Sequence, residues 1–485
     1  MVAGVTSGWP LLTTSVLIER IRATFRELPD ARQGGNHQRY TLEDAALGAF
    51  AVFFTQSPSF LDYPVRLQKE RGGNNAMALF GMHQIPCAPQ IRNLLDPVSP
   101  EHVTPLLMEI GEALHRLGGL ANHRLLAGSF AVALDGVEYF SSSAISCPNC
   151  STRPQANGQT RHFHVAVTPV LVAPGQESVF PLPPVFVTPQ DGHSKQDCER
   201  AASGRWLQQW APRIAPWGVT FLGDDLYCHQ PFCEEVRAQG CHFLFVCLPQ
   251  SHATLYEWVS DFERNQTVKT LVTTRWTGRQ RLTDTYRYLN DLPLRDSNDA
   301  LLVGWCELTT TDAKGQVLYQ NAWATSHRVT SENVMTLVTT GRSRWKIENE
   351  NNNTLKTKGY HFEHNYGQGK QHLSSLLATL IILAYLVHTV LDCLDQRYRA
   401  IRAQLPSRRT FFEHLRALVQ YLPFRSWDHL FDFMLDALKP VPRKAKGQPN
   451  TGQGKFGIAD KGQGNRMNLI QAPRFAPGSC RKLRR

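Results

Sequence analysis

Carboxylates at three places in this chain have the residue type and position to do chemistry. Asp135 closes the apolar run AVALD, Asp224 and Asp225 close VTFLGDD, and Glu348 lies in the helical-looking segment RWKIENE. Acids at strand ends point into the crevice in which such sheets bind their substrates. Converging carboxylates are hard oxygen donors suited to Mg²⁺ or Mn²⁺, and one or two such ions can activate a water or a 3′-hydroxyl and stabilise the leaving oxygen in phosphoryl transfer. Arg344 lies one helical turn before Glu348, so its guanidinium shares that face and can fork onto a phosphate beside the reacting bond. Taken singly, each feature has a plainer reading: Asp-Gly is a common turn, and Arg344–Glu348 is a common surface ion pair. The ordered set is the specific signal.

A second constellation is sulfur-based. Cys147 and Cys150, in SCPNC, form a C-x₂-C knuckle, and His162 and His164 follow within fourteen residues. Two thiolates and imidazole suit a tetrahedral structural Zn²⁺ site, provided the knuckle folds back over the strand that carries the histidines. A reduced hairpin is the alternative. The other cysteines of the eleven are scattered singly, which suits packing in a reducing cytoplasm better than a secreted disulfide framework. The stretch KGYHFEHNYGQGKQH mixes Lys, His, Asn and aromatic residues, a combination fit for phosphate contact and base stacking or for a well-capped solvated loop.

The segments ALDGVEYFSS, FLGDDLYCHQPFCE and RWKIENENNNTLKTKGYHFEHNYGQGKQHLS resemble, in combination, the three catalytic blocks of DDE-type transposases of bacterial insertion sequences, in the ISNCY-like branch. The likeness spans roughly residues 40–395, with gaps of 89 residues from Asp135 to Asp224 and 124 from Asp224 to Glu348. It implies a ribonuclease H-like catalytic core interrupted by a β-strand-rich insertion between the second Asp and the Glu. It also implies metal-dependent cleavage at the element's ends followed by strand transfer into target DNA, and oligomerisation on DNA because two ends must be joined. The resemblance implies that Asp135, Asp224 and Glu348 hold two Mg²⁺ or Mn²⁺ ions, while Arg344 and Lys356 contact DNA. Tyr227 fills the aromatic place of the second block, which favours Asp224 over Asp225. Arg344 matches the third block, but Gly341 stands where that block has Tyr and Leu355 where it has Lys. Lys356, one place later, reaches the same face only if the helix ends or bulges near Asn351–Asn353. Glu350 is the rival to Glu348. The rival function is a catalytically inactive, transposase-derived DNA-binding protein.

The elements that must position these residues divide the chain into five stretches. Residues 1–127 read as helical, a DNA reader or a packing subdomain; Thr41 with Glu43 and Asp44 marks one helix start. Residues 128–249 alternate strands and helices, the first part of the core. Residues 250–340 are rich in Thr, Val, Trp and Tyr, which predicts a strand-dominated insertion with DAKG as a hairpin turn. Residues 341–438 return to helix, with the Glu-bearing segment and a last pair of helices. Residues 439–485 carry twelve basic residues against one acidic, while residues 1–438 carry 40 of each sign. Such a flexible polycationic tail suits an anionic partner such as DNA. Leu373 to Leu391 runs nineteen residues without a charge, long enough to span a bilayer, but its Ser, Thr and His residues favour a buried core helix. No membrane partner is expected, and the resemblance implies a location in the bacterial cytoplasm, at the nucleoid.

Overall fold

The apolar run Phe130–Ala133 forms a wholly buried interior strand of a mixed sheet. The computed structural model describes residues 12–32, 39–58, 73–125, 128–189 and 195–439. These belong to one unit, Met1–Lys439; the basic tail from residue 440 on lies outside the described residues. The strands are β1 Phe130–Ala133, β2 Gly136–Ser142, β3 Ser151–Pro154, β4 Thr160–Val167, β5 Val170–Val172, β6 Phe180–Pro181, β7 Val185–Phe186, β8 Val219–Gly223, β9 His242–Val246, β10 Lys269–Trp276, β11 Arg281–Pro293, β12 Leu302–Thr311 and β13 Val317–Thr325.

The main sheet runs in the order β10-β11-β12-β13-β9-β8-β1-β5-β6. β1, β8 and β9 are mutually parallel, and β5 is antiparallel to β1. Parallel strands are covered on both faces, which explains why FAVA, VTFLG and the centre of HFLFV are continuous apolar runs and not alternating ones. The helix Lys195–Ile214 precedes β8, and the helix Gln230–Ala238 makes the crossover from β8 to β9. Trp206, Trp210 and Ile214 share the inner face of the first of these, and the Trp206 indole donates to the Pro183 carbonyl at 2.7 Å. The second ends at Gly240, whose φ of +72° lets the chain turn straight into β9.

The Thr- and Trp-rich stretch opens with a helix, Ala253–Arg264, before its strands begin. Its strands then continue the main sheet: β13 pairs with β9, with Ala324 opposite Phe245, and β12, β11 and β10 follow outward. The expected turn is present, since the Asp312 carboxylate accepts from the backbone of Lys314 and Gln316 and Gly315 takes a φ of +83°. A smaller sheet, β2-β4-β3 with β7 on β4, leaves the main one at Gly136.

Among the N-terminal helices, Leu42–Phe54 starts where Thr41 accepts from the Asp44 backbone N–H at 2.9 Å. It is almost wholly buried and packs on the long helix Leu373–Leu394. That long helix has a mean hydropathy of 2.0 in its most apolar window, and 89% of that window is buried inside the protein. Its hydroxyls bond their own helix, as Thr379 to the Ser375 carbonyl and Thr389 to the Tyr385 carbonyl, and His388 meets the Tyr360 hydroxyl at 2.7 Å. Hydrogen bonds of this kind offset much of the cost of burying polar groups, and with its apolar window mostly buried the helix is the core element its sequence suggested. Three helices, not a pair, complete the described chain: Gln396–Gln404, Arg408–Tyr421 and Trp427–Leu438. Pro406 ends the first and the Ser407 hydroxyl caps the second, accepting from Thr410 at 3.1 Å.

Candidate functional site

Asp135 follows β1 by two residues, and Asp224 follows β8 directly. Since these strands are parallel neighbours, with Ala133 opposite Leu222, both acids leave the sheet at one edge. Glu348 and Arg344 reach the same place from the segment after β13, and Arg344 donates to the Glu348 carboxylate at 2.7 Å. The charges of all these groups bear on Asp135. Burial pushes its carboxyl up to about 7, with Arg344 opposing and Glu348, Glu199 and Asp224 adding to the rise. Asp135 is thus a buried carboxyl with other acids close by; among the described residues, the groups whose ligand atoms lie within 4.8 Å of one another are Cys147, Cys150 and His164, and Cys228, Cys247 and His252, and the three acids do not form such a group.

The rival acids face elsewhere. Asp225 accepts from the Leu248 backbone at 2.8 Å and lies 3.3 Å from the His252 ring. Burial would raise its proton affinity, but hydrogen bonds from His252, Ser251 and Leu248 outweigh that and hold it below the usual carboxylate range. Asp224 instead accepts from the Leu226 backbone at 3.0 Å, and its charge acts on Asp135 and on Tyr227. Glu350 lies on the side of the long core helix, where its carbonyl accepts from the Tyr385 hydroxyl at 2.8 Å and its charge acts on the same tyrosine.

The segment that carries Glu348 is not a regular α-helix. The helix Val334–Arg342 passes into a 3₁₀ turn at Ser343–Trp345, a π-helical turn at Ile347–Asn352 and then the α-helical turn Asn353–Thr357. A π turn takes up one extra residue and shifts everything after it by about 100°. Leu355 is thereby buried in the core, and Lys356 takes the angular position that the seventh residue after Glu348 would have in an unbroken helix. Lys356 forms an ion pair with Glu363 at 2.7 Å. It is not among the charges that act on Asp135.

Gly341 also has a steric reason. A Cβ there would lie 2.6 Å from the Trp323 indole nitrogen and 2.9 Å from its ring carbon, and Trp323 is itself buried in β13. The indole fills the space that a larger residue at 341 would need. Gly341→Ala is expected to cost about 1–3 kcal/mol, the usual penalty for overpacking a rigid core. Urea unfolding checks this, and an unchanged midpoint would contradict it.

Two groups at the site were not expected from the sequence. Glu199, on the helix Lys195–Ile214, is buried, and a Cβ on Gly136 would lie 2.6 Å from its carboxyl carbon. Only glycine at 136 lets that fourth acid stand beside Asp135. Its signal was present in the sequence: Glu199 falls on the apolar stripe of Ala202, Trp206 and Trp210, where a charge has no place unless it has work to do. Asn352 is the other. Its amide donates to Asp135 at 3.5 Å and accepts from the fully buried Asn351, which also donates to the Thr168 hydroxyl at 3.4 Å. Asn352 lies four residues after Glu348, so the π turn delivers both to the acid cluster.

Of the zinc candidates, Cys147, Cys150 and His164 converge, and His162 is not part of the group. The chain matches no known protein-family model and no curated protein.

Proposed function

We propose that this protein is a DNA transposase that cuts at the ends of an insertion sequence and joins them to target DNA. The observation that carries the reading is that Asp135 and Asp224 leave two neighbouring parallel strands at one sheet edge, where the charges of Glu348 and Arg344, from a third block of sequence, also act on Asp135. A mixed sheet with acids at that edge, extended by the strands of residues 269–325, supports a ribonuclease H-like core with a β-rich insertion. Mg²⁺ or Mn²⁺ held by Asp135, Asp224 and Glu348 would activate the attacking hydroxyl and neutralise the leaving oxygen.

The chain's own residues do the rest. Asp135 and Asp224, fixed at strand ends, supply oxygen ligands that cannot drift, and Asn352 holds Asp135 in place through its amide. Glu348 completes the ligand set and orients the nucleophile. Arg344 exchanges its bond to Glu348 for a forked contact with the phosphate next to the scissile bond. Two phosphoryl-transfer steps would follow, a hydrolysis and then a transesterification. Water first breaks the bond to the element's 3′-oxygen, and the freed 3′-hydroxyl then attacks a target phosphate and expels the target's own 3′-oxygen. Neither step needs an external energy source. Joining two ends calls for a homo-oligomer on DNA, and the substrate places the protein at the bacterial nucleoid.

The test is a cleavage and joining assay on DNA that carries the element's own ends, in Mg²⁺ and in Mn²⁺. Cut ends and joined products are expected. Binding without cutting in both metals would favour the inactive DNA-binding protein, and cutting without joined products would make it a nuclease.

A further inference from the structure

The CPNC turn between β2 and β3 folds back onto β4 and brings two sulfurs against one imidazole nitrogen. Cys147 Sγ and Cys150 Sγ lie 3.6 Å apart, and His164 Nε2 lies 3.3 Å from the first and 3.4 Å from the second. A disulfide needs sulfurs about 2.05 Å apart, so these are separate thiols. A tetrahedral zinc ion, with Zn–S near 2.3 Å and Zn–N near 2.05 Å, would space its ligands about 3.8 Å for S to S and about 3.5 Å for S to N. All three observed separations fall within about 0.2 Å of those values. We infer that Cys147, Cys150 and His164 form a zinc site, built from β4 and the turn that covers it, distinct from the acidic cluster.

The surroundings are those of a ligand set prepared for a metal. The Cys147 backbone N–H donates to Cys150 Sγ at 3.3 Å, and the Cys150 N–H donates to the Cys147 carbonyl at 3.1 Å, so the turn itself aims both sulfurs inward. His164 is held between Tyr139, stacked at 5.6 Å, and Phe140 at 5.7 Å, which fixes the plane of the ring. The Gln368 side chain hydrogen-bonds to the ring. Its Nε2 donates to Asn365 at 3.1 Å, and its buried Oε1 has no hydrogen-bond partner. Cys147 and His164 also line a cavity of about 450 Å³, together with Tyr139, Asn149, Gln371 and His372.

The site has a clear mechanical use. β4 pairs with β2, which begins at Gly136, the residue after Asp135, and Asn149 in the turn donates to the Gln371 carbonyl just before the long core helix. An ion there pins the turn to β4 and, through Asn149, to the segment that follows the Glu348 block. The inference does not rest on the transposase reading, because zinc content is measured without DNA.

A second sulfur–imidazole group, Cys228, Cys247 and His252, provides an internal control, since its His252 Nε2 already faces Asp225 at 3.3 Å. The full chain is purified with zinc in the medium, its metal measured by mass spectrometry, and Co²⁺ then exchanged in. Stoichiometric zinc and thiolate-to-cobalt charge-transfer bands are expected. The paired change Cys147→Ser with Cys150→Ser should lower zinc content by about tenfold or more, as loss of primary ligands must. Cys228→Ser and His162→Ala should keep it. If the paired variant fails to fold, His164→Cys decides: it should retain zinc and shift the cobalt spectrum toward three thiolates. Wild-type protein without stoichiometric zinc, zinc retained in the paired variant, zinc lost in Cys228→Ser, or an unshifted cobalt spectrum in His164→Cys would each overturn the inference.

Discussion

Asp135→Asn, Asp224→Asn and Glu348→Gln, made one at a time, should each lower divalent-dependent cleavage and joining by about a hundred- to a thousandfold, the range found when one preorganised charge-stabilising group is removed. If the three acids act as one ligand set, as proposed, pairs of these changes should lose little more than the worse single change. DNA affinity should hold or rise slightly, because each change removes a negative charge that faces a phosphate backbone. Asp225→Asn and Glu350→Gln serve as the comparison. Asp225 is committed to Leu248 and His252, and Glu350 faces Tyr385, so neither should cost catalysis on that scale. Rates from gel-resolved products of all five variants test the assignment. An Asp225 variant as impaired as the Asp224 one would contradict it.

The same cluster predicts an inverse effect on stability. Without metal, burial and its acidic neighbours raise Asp135 to about 7, from an ordinary value of 3.8 in the unfolded chain. Between those two values the folded protein holds a proton that the unfolded chain has released, so this group's contribution to stability falls as pH rises from about 4 to about 7 and is then flat. Asp135→Asn has no such proton to lose. In chelator, the variant should therefore match wild type near pH 4 and exceed it by about 2–4 kcal/mol above pH 7. Adding Mg²⁺ or Mn²⁺ at pH 8 should raise the melting temperature of wild type, because the ion binds only the folded form, and leave the variant nearly unmoved. Thermal melts at several pH values, with and without metal, check both halves. Wild type and variant that respond alike to pH and to metal would contradict the picture.

Much of this site was legible in the sequence because local rules govern it. Asp135 and Asp224 could be placed at strand ends since each follows an uninterrupted apolar run, and parallel strands are buried on both faces. The cap at Thr41, the Asp312–Gly315 turn and the buried Leu373–Leu394 helix follow from equally local chemistry. What was not legible depends on partners distant in the chain. That β13 would pair with β9 and carry three more strands into the main sheet is set by a contact across some eighty residues, as Ala324 with Phe245 shows. The π turn at Ile347–Asn352 has no periodic signature; it is held by Asn351 and Asn352 reaching Thr168 and Asp135. Glu199 was overlooked because an acid on a helix is read as solvated by default, although its apolar stripe argued otherwise. Likewise the knuckle's choice of His164 over His162 depends on how the turn folds over β4, which spacing alone does not determine.

The central claim is that metal ions held by Asp135, Asp224 and Glu348 act directly on the scissile phosphate. Sulfur in place of a non-bridging oxygen at that phosphate tests it most directly, since Mg²⁺ binds oxygen and shuns sulfur while Mn²⁺ tolerates the softer atom. Cleavage of the sulfur-substituted end should collapse in Mg²⁺ and recover in Mn²⁺, with the unmodified end cut in both. Equal cutting of modified and unmodified ends in Mg²⁺, or a loss that Mn²⁺ does not repair, would contradict direct contact between the ions of this site and the reacting phosphate.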